Sequence, residues 1–290
     1  MKISAVVNTL NEEKNIARCL ESVKWADEIV VVDDGSTDKT VAIAQKYTDK
    51  IYHHQSVGYV EPARVFAMDK ASYDWIFLID ADEEAPKELA DILQSTDYGK
   101  EDIAHVQIPR KNLIFGQWIK HTGWWPDYQV RFFQKGTVIW PNAIHLKPQT
   151  FGRELRLEAR EDLAIVNQNY DTVSQFINRM NRYTDIEAQE KINQGYKFVW
   201  PDLILKPTEE FMRRFFAWEG YKDGLHGLAL SLLQAFSLLV FYIKIWEKQG
   251  FRQEDIDIKQ ITQESKQINS HFNYWTRQAL GKKSWWKRFL

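Results

Sequence analysis

Short apolar runs that stop abruptly at carboxylates mark the first third of the chain. Residues 29–32 end at Asp33-Asp34, and residues 75–79 end at Asp80-Ala81-Asp82. A continuous apolar run bounded by polar residues reads as a strand buried on both faces, and open α/β sheets place their ligands beyond the carboxyl ends of such strands. Similar runs at 3–7, 51–53 and 104–108 alternate with helical stretches. Asn11 precedes a stripe of Ile16, Leu20 and Val23, while Pro62 and Pro86 suit first-turn positions. Residues 1–108 therefore predict a βαβ series with right-handed crossovers and a mostly parallel sheet.

The pattern changes between 111 and 168, which is aromatic, irregular and punctuated by Gly116, Gly123, Pro126, Gly136, Pro141 and Pro148. It predicts loops and short strands, among them 129–133 and 138–140. Loops on a rigid scaffold carry specificity, so an acceptor site is expected here. A long polar-faced helix is expected over 172–193. These shifts divide the chain into a catalytic region 1–168, with a donor half 1–108 and an acceptor half 109–168, and a helical region 169–290. Within the latter, residues 225–243 form 19 residues without a formal charge. At ~1.5 Å per residue they nearly match a ~30 Å hydrocarbon core. Both a bilayer span and a buried or interfacial helix fit that length. The terminal sequence Lys282-Lys283-Ser284-Trp285-Trp286-Lys287-Arg288-Phe289 mixes cations with aromatics, as an anchor on an anionic leaflet would.

Composition narrows the partners. With 38 Lys and Arg against 40 Asp and Glu, overall charge makes no case for nucleic-acid binding. The single Cys19 excludes an intrachain disulfide framework or a Cys-rich zinc site and suits a reducing compartment. Asn8 and Asn11 interrupt the first apolar run before a signal peptide could form, so cytosolic exposure is expected. Ten of the twelve Trp residues lie at or beyond position 118, which suits a carbohydrate or membrane-interface surface as well as core packing.

Asp80 and Asp82, one residue apart at a strand end, point to the same face and suit a shared hard cation. Such a cation neutralises charge on a departing nucleoside diphosphate. In Asp33-Asp34-Gly35-Ser36-Thr37-Asp38, Gly35 permits a tight turn and Ser36 or Asp38 suits a helix cap. The remaining carboxylate can accept hydrogen bonds from a base edge or a ribose hydroxyl.

The phrases NTLNEEKNI (8–16), VVVDDGSTDKT (30–40) and DWIFLIDADEE (74–84) resemble, in order and spacing, the family 2 glycosyltransferases. NRYTDIEA (181–188) and GYKDGLHGL (220–228) are similar to the bacterial branch that builds lipopolysaccharide cores and other surface glycans. The resemblance implies a GT-A nucleotide-sugar fold, an activated sugar donor, a divalent metal (Mg²⁺ or Mn²⁺) and inversion at the anomeric carbon. Carried onto this chain, it puts Asn8 and Glu12 in the first donor-binding turn, Asp34 in the nucleoside pocket, and Asp80 and Asp82 in the metal motif. Asn8 stands where many relatives have Pro. Arg64 resembles an arginine that reaches the donor, although Val65 replaces the Asn that often follows it; its alternative is a solvent-facing helix charge.

Gly123-Trp124-Trp125-Pro126-Asp127 and Arg131 match a Gly-aromatic-aromatic-Pro-Asp stretch followed by Arg in this branch. Asp127 is then the expected base, because a sugar hydroxyl needs assistance to attack at neutral pH. Arg131 is expected on donor phosphate, and Trp124 and Trp125 are either acceptor platforms or packing residues. His145 matches a histidine that relatives usually follow with Glu, here Leu146, which leaves a diphosphate or metal contact and a structural role both open.

The expectation is an inverting transferase that moves a sugar, with a UDP-hexose as donor, to a hydroxyl of a glycan or lipid-linked acceptor at the cytoplasmic face of the cell membrane. The alternative is a noncatalytic membrane-associated subunit of the same fold that binds nucleotide sugar or glycan, against which the retained Asp80, Asp82 and Asp127 argue. A dinucleotide-dependent oxidoreductase lacks support, since residues 8–12 replace the Gly-rich phosphate loop. No motif specifies the oligomeric state.

Overall fold

The computed structural model describes residues 1–55, 61–140 and 147–280. The chain forms two compact units, Met1–Leu113 with Pro126–Asn169, and Ile114–Trp125 with Tyr170–Leu290. Residues 114–125, expected in the acceptor half, thus belong with the C-terminal helices.

The strands are β1 (Ile3–Thr9), β2 (Glu28–Asp33), β3 (Ile51–His53), β4 (Trp75–Asp80), β5 (Glu83–Glu84), β6 (Ile103–Ile108), β7 (Arg110–Ile114), β8 (Gln117–Trp118, in the second unit), β9 (Gln129–Gln134), β10 (Val138–Ile139), β11 (Gln149–Thr150), β12 (Arg153–Arg156) and β13 (Ile165–Tyr170). The first unit also carries helices α1 (Ile16–Ser22), α2 (Thr40–Ala44), α3 (Glu61–Lys70) and α4 (Lys87–Ser95). Its main sheet has the order β12-β6-β9-β4-β1-β2-β3. Neighbours run parallel except at β9, which is antiparallel to both β4 and β6. A smaller sheet sets β13 between β5 and β7.

Strand alternation builds a core on each face. Ala5, Val7, Val31, Phe77 and Ile79 pack with Ile16 and Leu20 of α1 and Leu89 of α4. Val6, Val30, Val32, Ile76 and Leu78 face the other way, against Ala63 and Ala67 of α3. Small residues four apart on α3 let its backbone approach the sheet closely. The same parity sends Asn8 and Asp80 to the α3 side, where Arg64 follows Ala63.

Several helix starts differ from expectation. Asn11 does not begin α1. It adopts φ 55°, and its side-chain carbonyl accepts the Thr37 N–H at 2.8 Å, tying two loops at the strand ends. Pro86 is the cap residue of α4 and precedes its first turn. Ser36 accepts the Asn11 N–H at 2.8 Å instead of capping α2, whereas Asp38 does accept the Thr40 N–H at 2.9 Å.

At the opposite end of the sheet, buried Glu28 binds Lys50, Ser4 and Ser72, with the Ser72 N–H at 2.8 Å and its hydroxyl at 2.6 Å. Burial alone would raise its pKa, but these donors outweigh burial and hold it at about 2, against an ordinary 4.5. That depression corresponds to about 3 kcal/mol of stability. Because the folded value is the lower one, the stabilisation is present above pH ~4.5 and fades as pH falls toward ~2. Glu28→Gln is expected to cost about 3 kcal/mol at pH 7, with the gap to wild type closing over that acid window. Urea unfolding at pH 7 and pH 3 checks this.

The second unit holds α5 (Val173–Asn193), α6 (Asp202–Met212), α7 (Gly224–Lys248) and α8 (Ile258–Ala279). Thr172 and Gln175 form a reciprocal capping box that starts α5 within a residue of the expected position. The phrase 220–228 packs closely. A Cβ on Gly227 would stand 1.8 Å from the Gly220 carbonyl oxygen, and one on Gly220 would meet Thr122 at 2.5 Å. Asp223 accepts the His121 N–H at 2.8 Å and contacts the His121 ring at 2.9 Å, which fastens residues 114–125 to the start of α7.

Candidate active site

The acidic ends of β2 and β4 flank the end of β1 in the first unit. Asn8 is in register with Val32 on one side and Asp80 on the other, and Thr9 is in register with Asp33. Asn8 is buried, and among the described residues neither oxygen nor nitrogen of its side-chain amide has a hydrogen-bond partner.

Asp33 and Asp34 divide the work of their turn. Asp33 accepts the Gly35 and Ser36 N–H groups at 3.2 and 3.1 Å, which makes it a turn brace. Asp34 is left for other partners, and its carboxylate lies 2.7 Å from Nδ1 of His54. Burial raises the Asp34 pKa, partly offset by His54. Glu12, on the neighbouring loop, accepts a hydrogen bond from the Asn15 side chain at 2.7 Å.

Asp80 receives Nη2 of Arg64 at 2.7 Å and of Arg131 at 2.6 Å on one oxygen, Oδ2. Burial would raise its pKa, but the two guanidiniums outweigh burial and hold the carboxyl well below the usual carboxylate range. Arg64 is therefore not a solvent-facing charge. Arg131, expected on donor phosphate, lies at the same carboxylate. It is 3% exposed, and its Nη2 is shared between Asp80 and Glu83, so it braces the acidic motif from within.

A divalent cation can be tested against these residues. Oδ1 of Asp80 is buried without a hydrogen-bond partner among the described residues, and Asp82 follows on the turn after β4, half-buried. Among the described residues no group of three or more His, Cys, Asp and Glu side chains converges. The donor set is hard oxygen, and a pair of carboxylates completed by phosphate oxygens is how Mg²⁺ is ordinarily held. The residues fit such an ion together with a diphosphate.

Asp127 lies in the same unit under four donors. Oδ2 accepts Nη2 and Nε of Arg110 at 2.6 and 2.8 Å and the Asn112 amide at 3.1 Å, and Oδ1 accepts the Gln129 amide at 2.8 Å. Burial acts to raise its pKa, but Arg110, Asn112 and Gln129 outweigh it and lower the value. Asn112 is itself fixed, because its oxygen accepts Asn167 at 2.8 Å and Asn169 at 3.2 Å.

Residues 4–152, just over half of the chain, match the family described as Glycosyl transferase family 2. The chain belongs to that family. Over 258 residues it is 30% identical to an uncharacterized glycosyltransferase of Rickettsia bellii, covering 85% of this chain and 86% of the relative. Over 264 residues it is 25% identical to the lipopolysaccharide core biosynthesis glycosyltransferase LpsC of Rhizobium meliloti, covering 87% and 94%. Among solved structures, Staphylococcus aureus TarS matches at 20% identity and TM-score 0.41, over 89% of this chain and 57% of that one. Mycobacterium tuberculosis glucosyl-3-phosphoglycerate synthase with Mn²⁺ and UDP-glucose matches at 25% identity and TM-score 0.30, over 37% and 42%.

This glycosyltransferase keeps Trp124 and Trp125 in the second unit. Trp124 packs against Ile114, Ile119 and Leu230, and Trp125 stands edge-on to Trp118 with centroids 5.1 Å apart. Both are half-buried. His145 lies outside the described residues, as do residues 282–289. Sequence reasoning missed Glu83, Arg110, Asn112, Gln129 and His54. The one signal for Glu83 and Arg110 was their charge beside an apolar strand, a feature that surface positions share.

Proposed function

We propose that this protein is an inverting, membrane-associated glycosyltransferase that moves a sugar from a nucleoside diphosphate, with a UDP-hexose as donor, to a hydroxyl of a glycan or lipid-linked acceptor. The observation that carries the reading is the pair of acidic strand ends, Asp34 and Asp80-Ala81-Asp82, on either side of Asn8 in adjacent parallel strands. The name of the LpsC relative supports a place in lipopolysaccharide or other surface-polysaccharide assembly.

In this reading the nucleoside lies along Asn8, Glu12 and Asp34. The unpartnered Asn8 amide, which costs about 1–3 kcal/mol when left unsatisfied, gains partners from the nucleotide's polar edge. Asp80 and Asp82 hold Mg²⁺ or Mn²⁺, which when bound stabilises charge on the departing diphosphate. Arg64 adds a guanidinium beside that charge. Asp127, ionised by Arg110, accepts the proton of the acceptor hydroxyl as it attacks the anomeric carbon in a single displacement. Trp125, two residues before Asp127 in the chain, offers a flat apolar face to an acceptor sugar.

The membrane part of the reading rests on α7. By length and composition the helix Gly220–Lys248 is long and apolar enough to cross a bilayer. Leu225, Leu232, Phe236 and Ile243 are exposed, and their spacing of seven, four and seven residues places them on one stripe. Leu230, Ala235, Tyr242 and Ile245 are buried on the other side. An apolar stripe on a helix packed along its other face favours lying in the interface over crossing it.

Titration of UDP, GDP and dTDP, each with Mn²⁺ and again with EDTA, tests the donor reading. Metal-dependent binding of UDP is expected, and absence of binding by all three would overturn it. Flotation with anionic vesicles, expected for wild type and reduced for Leu232→Glu/Phe236→Glu, tests the membrane reading. Retention after an alkaline carbonate wash would instead indicate a span.

A further inference from the structure

Three arginines and three carboxylates of the first unit form one hydrogen-bonded chain. Arg64 and Arg131 meet on Oδ2 of Asp80. Nη2 of Arg131 also donates to Oε1 of Glu83 at 2.8 Å, and Nη1 of Arg110 donates to that same oxygen at 3.2 Å. Arg110 then reaches Asp127 through Nε and Nη2. The remaining Glu83 oxygen accepts the backbone N–H of Asp80 at 3.0 Å. Glu83 has no exposed surface, and β5 holds it opposite Asn167 of β13.

A fully buried carboxylate is expensive, so its retention calls for a role that an uncharged side chain of the same shape would not fill. Here the charges balance, three against three. Each of two guanidiniums divides its hydrogen bonding, Arg131 between Asp80 and Glu83, and Arg110 between Glu83 and Asp127. How strongly each arginine grips its outer carboxylate therefore depends on how much of it Glu83 takes.

We propose that Glu83 is a positioning residue that couples the metal carboxylate Asp80 to the base Asp127 through Arg131 and Arg110. Taking a share of both guanidiniums, it leaves Asp80 electron-rich for a divalent cation and keeps Asp127 from being neutralised by Arg110. The inference rests on the assignment of Asp80–Asp82 and Asp127 made above. It adds that the two ends of the site are electrostatically linked inside one unit.

The linkage predicts opposite signs for two substitutions. Mn²⁺ binding by the full chain is followed by the EPR signal of the free ion, with and without UDP. Glu83→Gln keeps the shape and an acceptor oxygen but removes the charge, so Arg131 turns wholly to Asp80. Mn²⁺ binding is expected to weaken about 10- to 100-fold, the range found for residues supporting a metal ligand. Arg110→Gln touches Asp127 and not Asp80, yet it leaves Glu83 to draw Arg131 away from Asp80. Mn²⁺ binding is expected to tighten by a few-fold while transfer falls. Lys111→Gln, the neighbouring residue on β7, whose charge goes to Glu161, is expected to leave Mn²⁺ binding unchanged and separates the linkage from a general change of charge.

Thermal unfolding confirms the fold of each variant. If Glu83→Gln does not fold, Arg110→Gln decides, read against Lys111→Gln, which removes a neighbouring positive charge that does not pair with Glu83. Wild-type Mn²⁺ affinity in both variants, or shifts of the same sign, would overturn the coupling while leaving the metal site standing. Failure of the wild type itself to bind Mn²⁺ would overturn the metal assignment and the coupling with it.

Discussion

Asp127→Asn is expected to lower sugar transfer by about 10³-fold, within the span associated with loss of a positioned base. Nucleotide binding should change little. An amide does not accept the acceptor proton, and Asp127 makes no contact with Asp34, Asp80 or Asp82 among the hydrogen bonds that define the site. The substitution also sets an NH₂ group among donors from Arg110, Asn112 and Gln129, so a stability loss of about 1–3 kcal/mol is expected alongside. Transfer kinetics and a nucleotide titration on the same preparation separate the two effects. Normal turnover in the variant would remove Asp127 from the mechanism. The depressed pKa has a second consequence. Asp127 is ionised at neutral pH, and its contribution to activity is lost only as pH falls into the acid range below 3.8. A pH–rate profile with an acid limb near neutrality would have to come from another group.

Asp82→Ala is expected to reduce nucleotide binding with Mn²⁺ to the level seen with EDTA and to lower transfer by about 10²-fold or more, the cost of losing one element that stabilises transition-state charge. It is a cleaner probe than replacing Asp80, whose removal would leave two arginines facing an empty carboxylate site. Breaking a buried ion pair from one side typically costs about 3–5 kcal/mol. In Asp82→Ala the Asp80–Arg64 and Asp80–Arg131 contacts persist, and the backbone carbonyl of residue 82 still accepts the Gln168 N–H. Calorimetry should therefore register lost metal linkage in a folded protein. Metal-dependent binding equal to wild type would take Asp82 out of the metal site.

The chain's local pattern determined the sheet's parallel strands and the carboxylates at their ends. Apolar runs at 29–32 and 75–79, too short for a buried helix of ordinary length, read as strands, and the carboxylates that terminate them emerge at one edge because parallel strands end on the same side. Spacing by one residue predicts a shared face for Asp80 and Asp82 along a strand, but β4 ends at Asp80 and Asp82 stands on the turn beyond it. The helix expected over 172–193 starts within a residue of that position, where the structure shows a capping box whose bonds span three residues.

What tertiary structure alone decided are contacts between residues far apart in sequence. β9 runs antiparallel between β4 and β6, and this insertion brings Arg131 to Asp80, 51 residues away. Enclosed there, the arginine is held between Asp80 and Glu83. The pairing of β5 and β7 with β13 similarly gathers Glu83, Arg110 and Asn112 around Asp127. A lone charge beside an apolar strand reads the same in sequence whether it faces water or a buried partner. The difference lies in desolvation and sheet order, which local periodicity does not encode.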